Sequence, residues 1–417
     1  MENYSSNDWL PLVLALVSQL LLLQAPNDVY YCGAIGYVIR AYANVRRTEE
    51  IIKVLRDLAQ DQDNALTDTK ARIIAKNLLI CLQADLTSRE FINANSYLLE
   101  RAAREPSFPK EVLAVIYRMR GQAYTALHEY RQAIQDLNQA IALYDKDAFE
   151  YICRGIAYRL LGDYQHAIED FGTALTKNPN STQVYAERGL AYRHISQYAE
   201  ALADFNSAIT FNSKSSWVYG QRGKVQRLLK NYSQAVEDFN NAISLDAQDA
   251  WAYAQRGLAF LWMKDLAQAK SDYVHSQEID TKNISYSWVS TWIEMCLQRD
   301  DVEAIKQLET LAAADQPDYL TLVCQGVALW LQSNFDKALV TLGQAVLLEP
   351  HRWDVHFWKG MTLASLEKDE EAIHGVKQAL ELGLPPVLLA PLKWFEQSRP
   401  AFYQTSVPLL LEHQGVN

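Results

Sequence analysis

Residues 148–181 read AFEYICRGIAYRLLGDYQHAIEDFGTALTKNPNS, and residues 182–215 read TQVYAERGLAYRHISQYAEALADFNSAITFNSKS. Tyr151/Tyr185, Arg154/Arg188, Gly155/Gly189, Tyr158/Tyr192, Ala167/Ala201, Asp170/Asp204 and Phe171/Phe205 all stand 34 residues apart. The register extends in both directions. Glycines recur at Gly121, Gly155, Gly189, Gly223 and Gly257; Trp292 takes the glycine's place after a 35-residue step, and Gly326 and Gly360 resume it. Alanines recur without a break at Ala133, Ala167, Ala201, Ala235, Ala269, Ala304, Ala338 and Ala372. Self-similarity at a fixed period marks a stack of identical supersecondary units, none of which buries its apolar face alone.

Numbering each unit 1 to 34 from residues 114, 148, 182, 216, 250, 285, 319 and 353 exposes the pattern. Position 4 is aromatic six times running, from Tyr117 to Trp288, and position 24 is large and apolar throughout: Leu137, Phe171, Phe205, Phe239, Tyr273, Leu308, Leu342 and Val376. Small residues at positions 8 and 20, and mostly at 27, let two helices cross closely. Trp292 is therefore expected to widen the crossing or rotate its hairpin. This signature resembles the tetratricopeptide repeat over residues 114–386. The resemblance implies an all-α fold, a right-handed superhelical solenoid of helical hairpins, whose first helices line the concave face with positions 2, 5, 9, 12 and 13. It also implies a protein or peptide partner rather than chemistry.

Around the array, residues 1–113 read as an N-terminal helical region with a degenerate repeat at 75–108, and residues 387–417 as a capping helix and tail. The apolar run from Trp9 to Leu23 falls short of the roughly 20 residues that span a bilayer, so a buried helix is expected there and a membrane anchor is the alternative. A net charge of −11 disfavours nucleic acid as partner, because phosphate binding needs basic density. Five scattered cysteines, without CxxC spacing, suit a reducing, cytoplasmic setting. The chain has no GxxxxGK phosphate loop, no HExxH and no Cys/His cluster, so no catalytic residue, cofactor or metal is expected. Residues 1–113 could still carry an unread effector activity, and the array could serve as the sensor part of a larger signalling system.

Two charge series run with the repeat. Position 7 holds Arg120, Arg154, Arg188, Arg222 and Arg256, position 23 holds Asp136, Asp170, Asp204, Asp238 and Asp272, and both end together after the fifth hairpin. Loss in step points to ion-paired partners. The groove positions carry a basic stripe, Arg159, Arg193 and Arg227, and then an aromatic series, Trp217, Trp251, Trp262, Tyr286, Trp330 and Phe357. Such a groove would take a segment with acidic and apolar parts, since guanidinium forks match carboxylates and aromatics anchor apolar groups. The competing reading is that many of these aromatics pack between hairpins. Position 9 reads Gln122, Ile156, Leu190, Lys224 and Leu258, which does not match the asparagine-containing clamp of chaperone-binding repeats.

Overall fold

A computed structural model describes residues 110–146, 148–298, 301–313 and 318–412, together with Arg89, Ile92, Ser96, Leu99 and Glu100. The Trp9–Leu23 run, the 104–109 linker and most of the degenerate repeat lie outside the described residues. The chain divides into two compact units, Met1–Phe211 and Asn212–Asn417. Among the described residues every regular element is helical.

In the first unit the helices are α1 (Lys110–Ala126), α2 (Tyr130–Leu143), α3 (Phe149–Leu161), α4 (Tyr164–Lys177), α5 (Thr182–His194) and α6 (Tyr198–Phe211). In the second they are α7 (Ser216–Leu228), α8 (Tyr232–Leu245), α9 (Ala250–Trp262), α10 (Leu266–Ile279), α11 (Ile284–Leu297), α12 (Asp301–Ala312), α13 (Tyr319–Leu331), α14 (Phe335–Leu348), α15 (Trp353–Ser365) and α16 (Asp369–Glu381). Each odd-numbered helix pairs with the next to form a hairpin, and within each unit successive hairpins stack. No helix among the described residues is long and apolar enough to cross a membrane.

Local chemistry sets the helix ends. Side chains of Asp163, Ser181, Ser215, Asp249, Asp265 and Asp318 accept a backbone N–H three residues on, at 2.8–3.4 Å, which satisfies donors the first turn leaves open. The hairpin turn follows an equally strict rule at position 15. His128, Ser196, Lys230, Lys264, Ser333 and Glu367 have φ of 59–65°, and Gly162 has φ of 90°. The next N–H then returns to the carbonyl of position 11, as from Asp163 to Tyr158 and from Asn231 to Gln226, both at 2.9 Å. That bond closes an open helix-end carbonyl and folds the second helix back on the first. A left-handed non-glycine residue costs on the order of 1 kcal/mol, so the short closed turn must hold it in place.

The core repeats with the period. The position-20 alanines are 0–6% exposed, and the position-24 side chains are buried. Position 24 explains the glycines. A Cβ at Gly155 would lie 2.7 Å from the Phe171 ring, and one at Gly326 would lie 2.6 Å from Leu342 Cγ. The bare backbone of the first helix is thus the floor on which the second helix sets its largest side chain.

Trp292 breaks this arrangement in the sixth hairpin. Its ring is fully buried and packs among Trp288, Trp353, Phe357 and Trp358, with ring centroids 5.1–5.5 Å away. α11 and α12 pack least closely of the eight hairpin pairs, as expected where a large residue replaces the glycine.

Beyond α16, Pro386–Trp394 forms a 3-10 helix, followed by α17 (Phe395–Ser398) and α18 (Pro400–Glu412). This 3-10 segment, with Pro386 at its start and Pro391 inside it, stands where the sequence predicts a capping helix from residue 387. Leu388, Leu392, Phe395, Phe402 and Leu410 are buried in the core of the second unit, where the 3-10 helix packs against α9 and α11, and α18 packs against α16. Arg399 ties the tail to Asp369 at 2.7 Å and to the Ala364 carbonyl.

The two kinds of helical glycine should respond oppositely to an added side chain. Gly155→Val meets the Phe171 ring and is expected to destabilise the array by about 1–3 kcal/mol in urea unfolding. Gly172→Ala projects into open space and is expected to stabilise it by about 0.5–1 kcal/mol through helix propensity.

Candidate functional site

The arginines at positions 7 and 12 of the first helices form two classes, and the difference between them defines the candidate site. The first class is the position-7 series. Arg120, Arg154, Arg188, Arg222 and Arg256 each donate Nε and Nη2 side-on to both oxygens of the aspartate 16 residues later, at 2.5–3.1 Å. The aspartate side chains are 4–7% exposed and the arginines 18–22%. Hydrogen bonds to the carboxylate hold Arg154, Arg188 and Arg256 above the ordinary guanidinium value. Arg154 and Arg256 also reach the preceding hairpin, with Nη1 on Asn138 and Asn240 Oδ1 at 2.6 Å.

The position-4 tyrosines belong to the same device. Tyr117, Tyr151, Tyr185, Tyr219 and Tyr253 lie three residues before these arginines on the same helix face, with the guanidinium carbon 5.3–5.7 Å from the ring centroid. The ring shields the cation and gains from it electrostatically. When the series ends in the sixth hairpin, Thr291 Oγ1 donates to Gln307 Oε1 at 3.1 Å, a neutral bond between the same two positions. The position-4 aromatic, Trp288, is then buried and donates Nε1 to the buried Asp354 carboxylate at 3.2 Å. The position-7 arginines are thus engaged within the fold.

The second class is the position-12 stripe. In the first unit, Arg159 donates Nε to Glu187 Oε2 at 2.8 Å, an internal ion pair reaching the next hairpin. Arg193 has no carboxylate partner among the described residues; its Nη2 lies 3.4 Å from His194 Nε2. Burial, and then the charge of Arg159, holds Arg193 below the ordinary guanidinium value. In the second unit, among the described residues Arg227 reaches only Gln255 Oε1, at 3.3 Å, and its Nε is buried without a hydrogen-bond partner there. Burial depresses Arg227 as well, with no carboxylate opposing it.

The aromatic series is distributed differently from the expectation. Phe357 is fully buried and Trp330 is 7% exposed, with Trp330 Nε1 donating to Ser365 Oγ at 2.9 Å. Both belong to the core of the second unit, and Tyr286 packs against that core, half-buried. Trp251 wedges against the bare backbone of Gly220, where a Cβ would come within 2.7 Å of the ring. Trp262 stacks on Tyr232 of the preceding hairpin, centroids 5.8 Å apart and planes 8° from parallel. Trp217 is the exposed member, at 44%. Burial thus takes most of this series into packing between hairpins. Sequence reading did not single out Glu187, Gln255 or Tyr232. The clue was present, since residues 187 and 255 share position 6, where one repeat has Glu and the other Gln.

Cys153 and Cys324 are buried, and burial pushes the Cys296 thiol up to about 12, so it stays protonated at neutral pH. Among the described residues no group of three His, Cys, Asp or Glu side chains is placed to hold a metal.

Comparisons with known proteins agree with this architecture. Residues 148–181 match the family model described as Tetratricopeptide repeat, and residues 223–263 match one described as TPR repeat. The hairpins are tetratricopeptide repeats. Similar solved structures include MamA from Desulfovibrio magneticus RS-1, at 21% identity over 41% of this chain and 96% of that one, with a TM-score of 0.39. YrrB, described as a TPR protein with an unusual peptide-binding site, is 17% identical over 48% and 98%, with a TM-score of 0.38. A tetratricopeptide repeat protein from Parabacteroides merdae is 17% identical over 58% and 98%, with a TM-score of 0.47. No curated protein matches the chain.

The internal pairing makes a definite forecast. Arg222→Thr strands the buried Asp238 carboxylate and is expected to cost about 3 kcal/mol in urea unfolding. Adding Asp238→Gln copies the Thr291–Gln307 solution of the sixth hairpin and is expected to recover at least about half of that loss.

Proposed function

We propose that this chain is a non-catalytic scaffold or sensor that binds a protein or peptide partner along the groove face of its first helices. The single observation that carries the reading is the contrast at position 12. Arg159 has a carboxylate partner, whereas among the described residues neither Arg193 in the first unit nor Arg227 in the second has one, each in partly buried surroundings. In a chain of net charge −11, carboxylates are abundant, so their absence at these two places is a local property of the site. A buried, unpaired charge is costly in the isolated fold, and that cost is relieved when a partner brings the missing anion. Exposed Trp217 adds an apolar contact on the second unit. Such a partner segment combines acidic and apolar residues.

The test uses the full-length chain. Wild type and the Arg193→Glu/Arg227→Glu double variant are compared in affinity capture from the native cell extract, quantified by mass spectrometry, with helicity and melting recorded for both. The reading expects the specifically captured partners to fall by about tenfold or more in a folded variant. An unchanged partner set in a folded variant contradicts it.

A further inference from the structure

Arg227 sits in a corner of the second unit whose other walls suggest what the missing anion is attached to. The corner is built from the end of α7, the turn to α8 and the end of α9. Trp262 and Tyr232 form a stacked aromatic pair across two hairpins. Leu160 and Leu161, at the same positions of the second hairpin, are each 41% exposed, and here Leu228, Leu229 and Met263 are 41%, 38% and 44% exposed. These apolar side chains follow Arg227 and Trp262 directly in sequence, at the positions where each first helix meets its turn. The orphaned Arg227 donor, rather than this apolar exposure, sets the corner apart.

The register-matched corner in the first unit supplies an internal control. There position 12 is Arg159, and position 6 of the next hairpin is Glu187, which pairs with it at 2.8 Å. Here position 12 is Arg227, and position 6 of the next hairpin is Gln255, whose oxygen lies 3.3 Å from Nη2. At the acceptor position the two corners differ by the replacement of a carboxylate with an amide; elsewhere His194 and Ile195 of the first stand where the second has Trp262 and Met263. The backbone places an acceptor correctly, but the charge is missing.

We infer that the Arg227 corner is a specificity subsite for a carboxylate side chain of a partner protein that is followed by apolar residues. The carboxylate joins Gln255 at the guanidinium, supplying the charge that Glu187 supplies in the first unit, and the apolar residues cover Leu228, Leu229 and Met263. The inference rests on the groove-binding reading and deepens it by naming the chemistry recognised at one place. A monoanionic carboxylate matches a single guanidinium and its two-atom fork. A phosphate, which carries nearly two charges, would call for more than one cation here.

The experiment titrates full-length protein with the hexapeptide acetyl-Glu-Leu-Leu-Asp-Leu-Leu-amide, its Gln/Asn counterpart and inorganic phosphate. The variants are Gln255→Glu, which installs the internal carboxylate, and Gln255→Ala. The inference expects the acidic peptide to bind wild type about tenfold more tightly than its amide counterpart, and Gln255→Glu to abolish that preference. Gln255→Glu should also keep or raise the melting temperature, since it pairs Arg227, so lost binding is not lost folding. Gln255→Ala should retain the acidic preference within about twofold. If Gln255→Glu leaves an acidic preference intact, this subsite is overturned while the groove reading survives. If wild type shows no acidic preference, both fall. If phosphate displaces the peptide or binds as well as it does, the carboxylate assignment is overturned.

Discussion

One contact recurs through the array and the rest depends on it: a large side chain of the second helix resting on the bare backbone of a glycine in the first. With Phe171 ring atoms 2.7–3.1 Å from where a Cβ on Gly155 would stand, the two helices can approach no closer and need not stand further apart. That distance brings position 7 of one helix opposite position 23 of the other, within reach of a bidentate guanidinium–carboxylate pair. It also leaves room for nothing larger than alanine at position 20. Where the glycine becomes Trp292, the ion pair gives way to the neutral Thr291–Gln307 bond and the helices loosen. In the sixth hairpin the buried Trp288 and Trp292 rings supply by bulk what the glycine-bearing hairpins obtain from close fit.

Much of this was legible in the chain. The glycine, alanine and position-24 ladders are local, strictly periodic and tied to one packing geometry, so they read directly as helical hairpins. The Arg/Asp pairing was legible because both series vanish at the same hairpin, an internal covariation. The turn was not, because its left-handed residue is His, Gly, Ser, Lys or Glu and carries no compositional mark. The hydrogen bond from position 16 to position 11 dictates that conformation, whatever side chain sits there.

The candidate site was legible only in part. Position number says which face a residue occupies, but not whether a neighbour covers it. Trp330 and Phe357 share groove positions with Trp217, yet Trp394, Trp358 and Trp292 close over them. The three position-12 arginines look alike in sequence. They differ through residues 28 positions on, Glu187 for Arg159 and Gln255 for Arg227, a relation between hairpins that a reading within each repeat does not reveal.

The central claim is that the fold engages one class of its arginines internally and leaves a second class for a partner. The most direct measurement is the Nε–Hε resonance of each assigned arginine in 15N-labelled full-length protein, recorded while the acidic hexapeptide is added. The account predicts that Arg193 and Arg227 shift while Arg120, Arg154, Arg188, Arg222 and Arg256 stay in place. Movement of the position-7 arginines with Arg193 and Arg227 unmoved would contradict it.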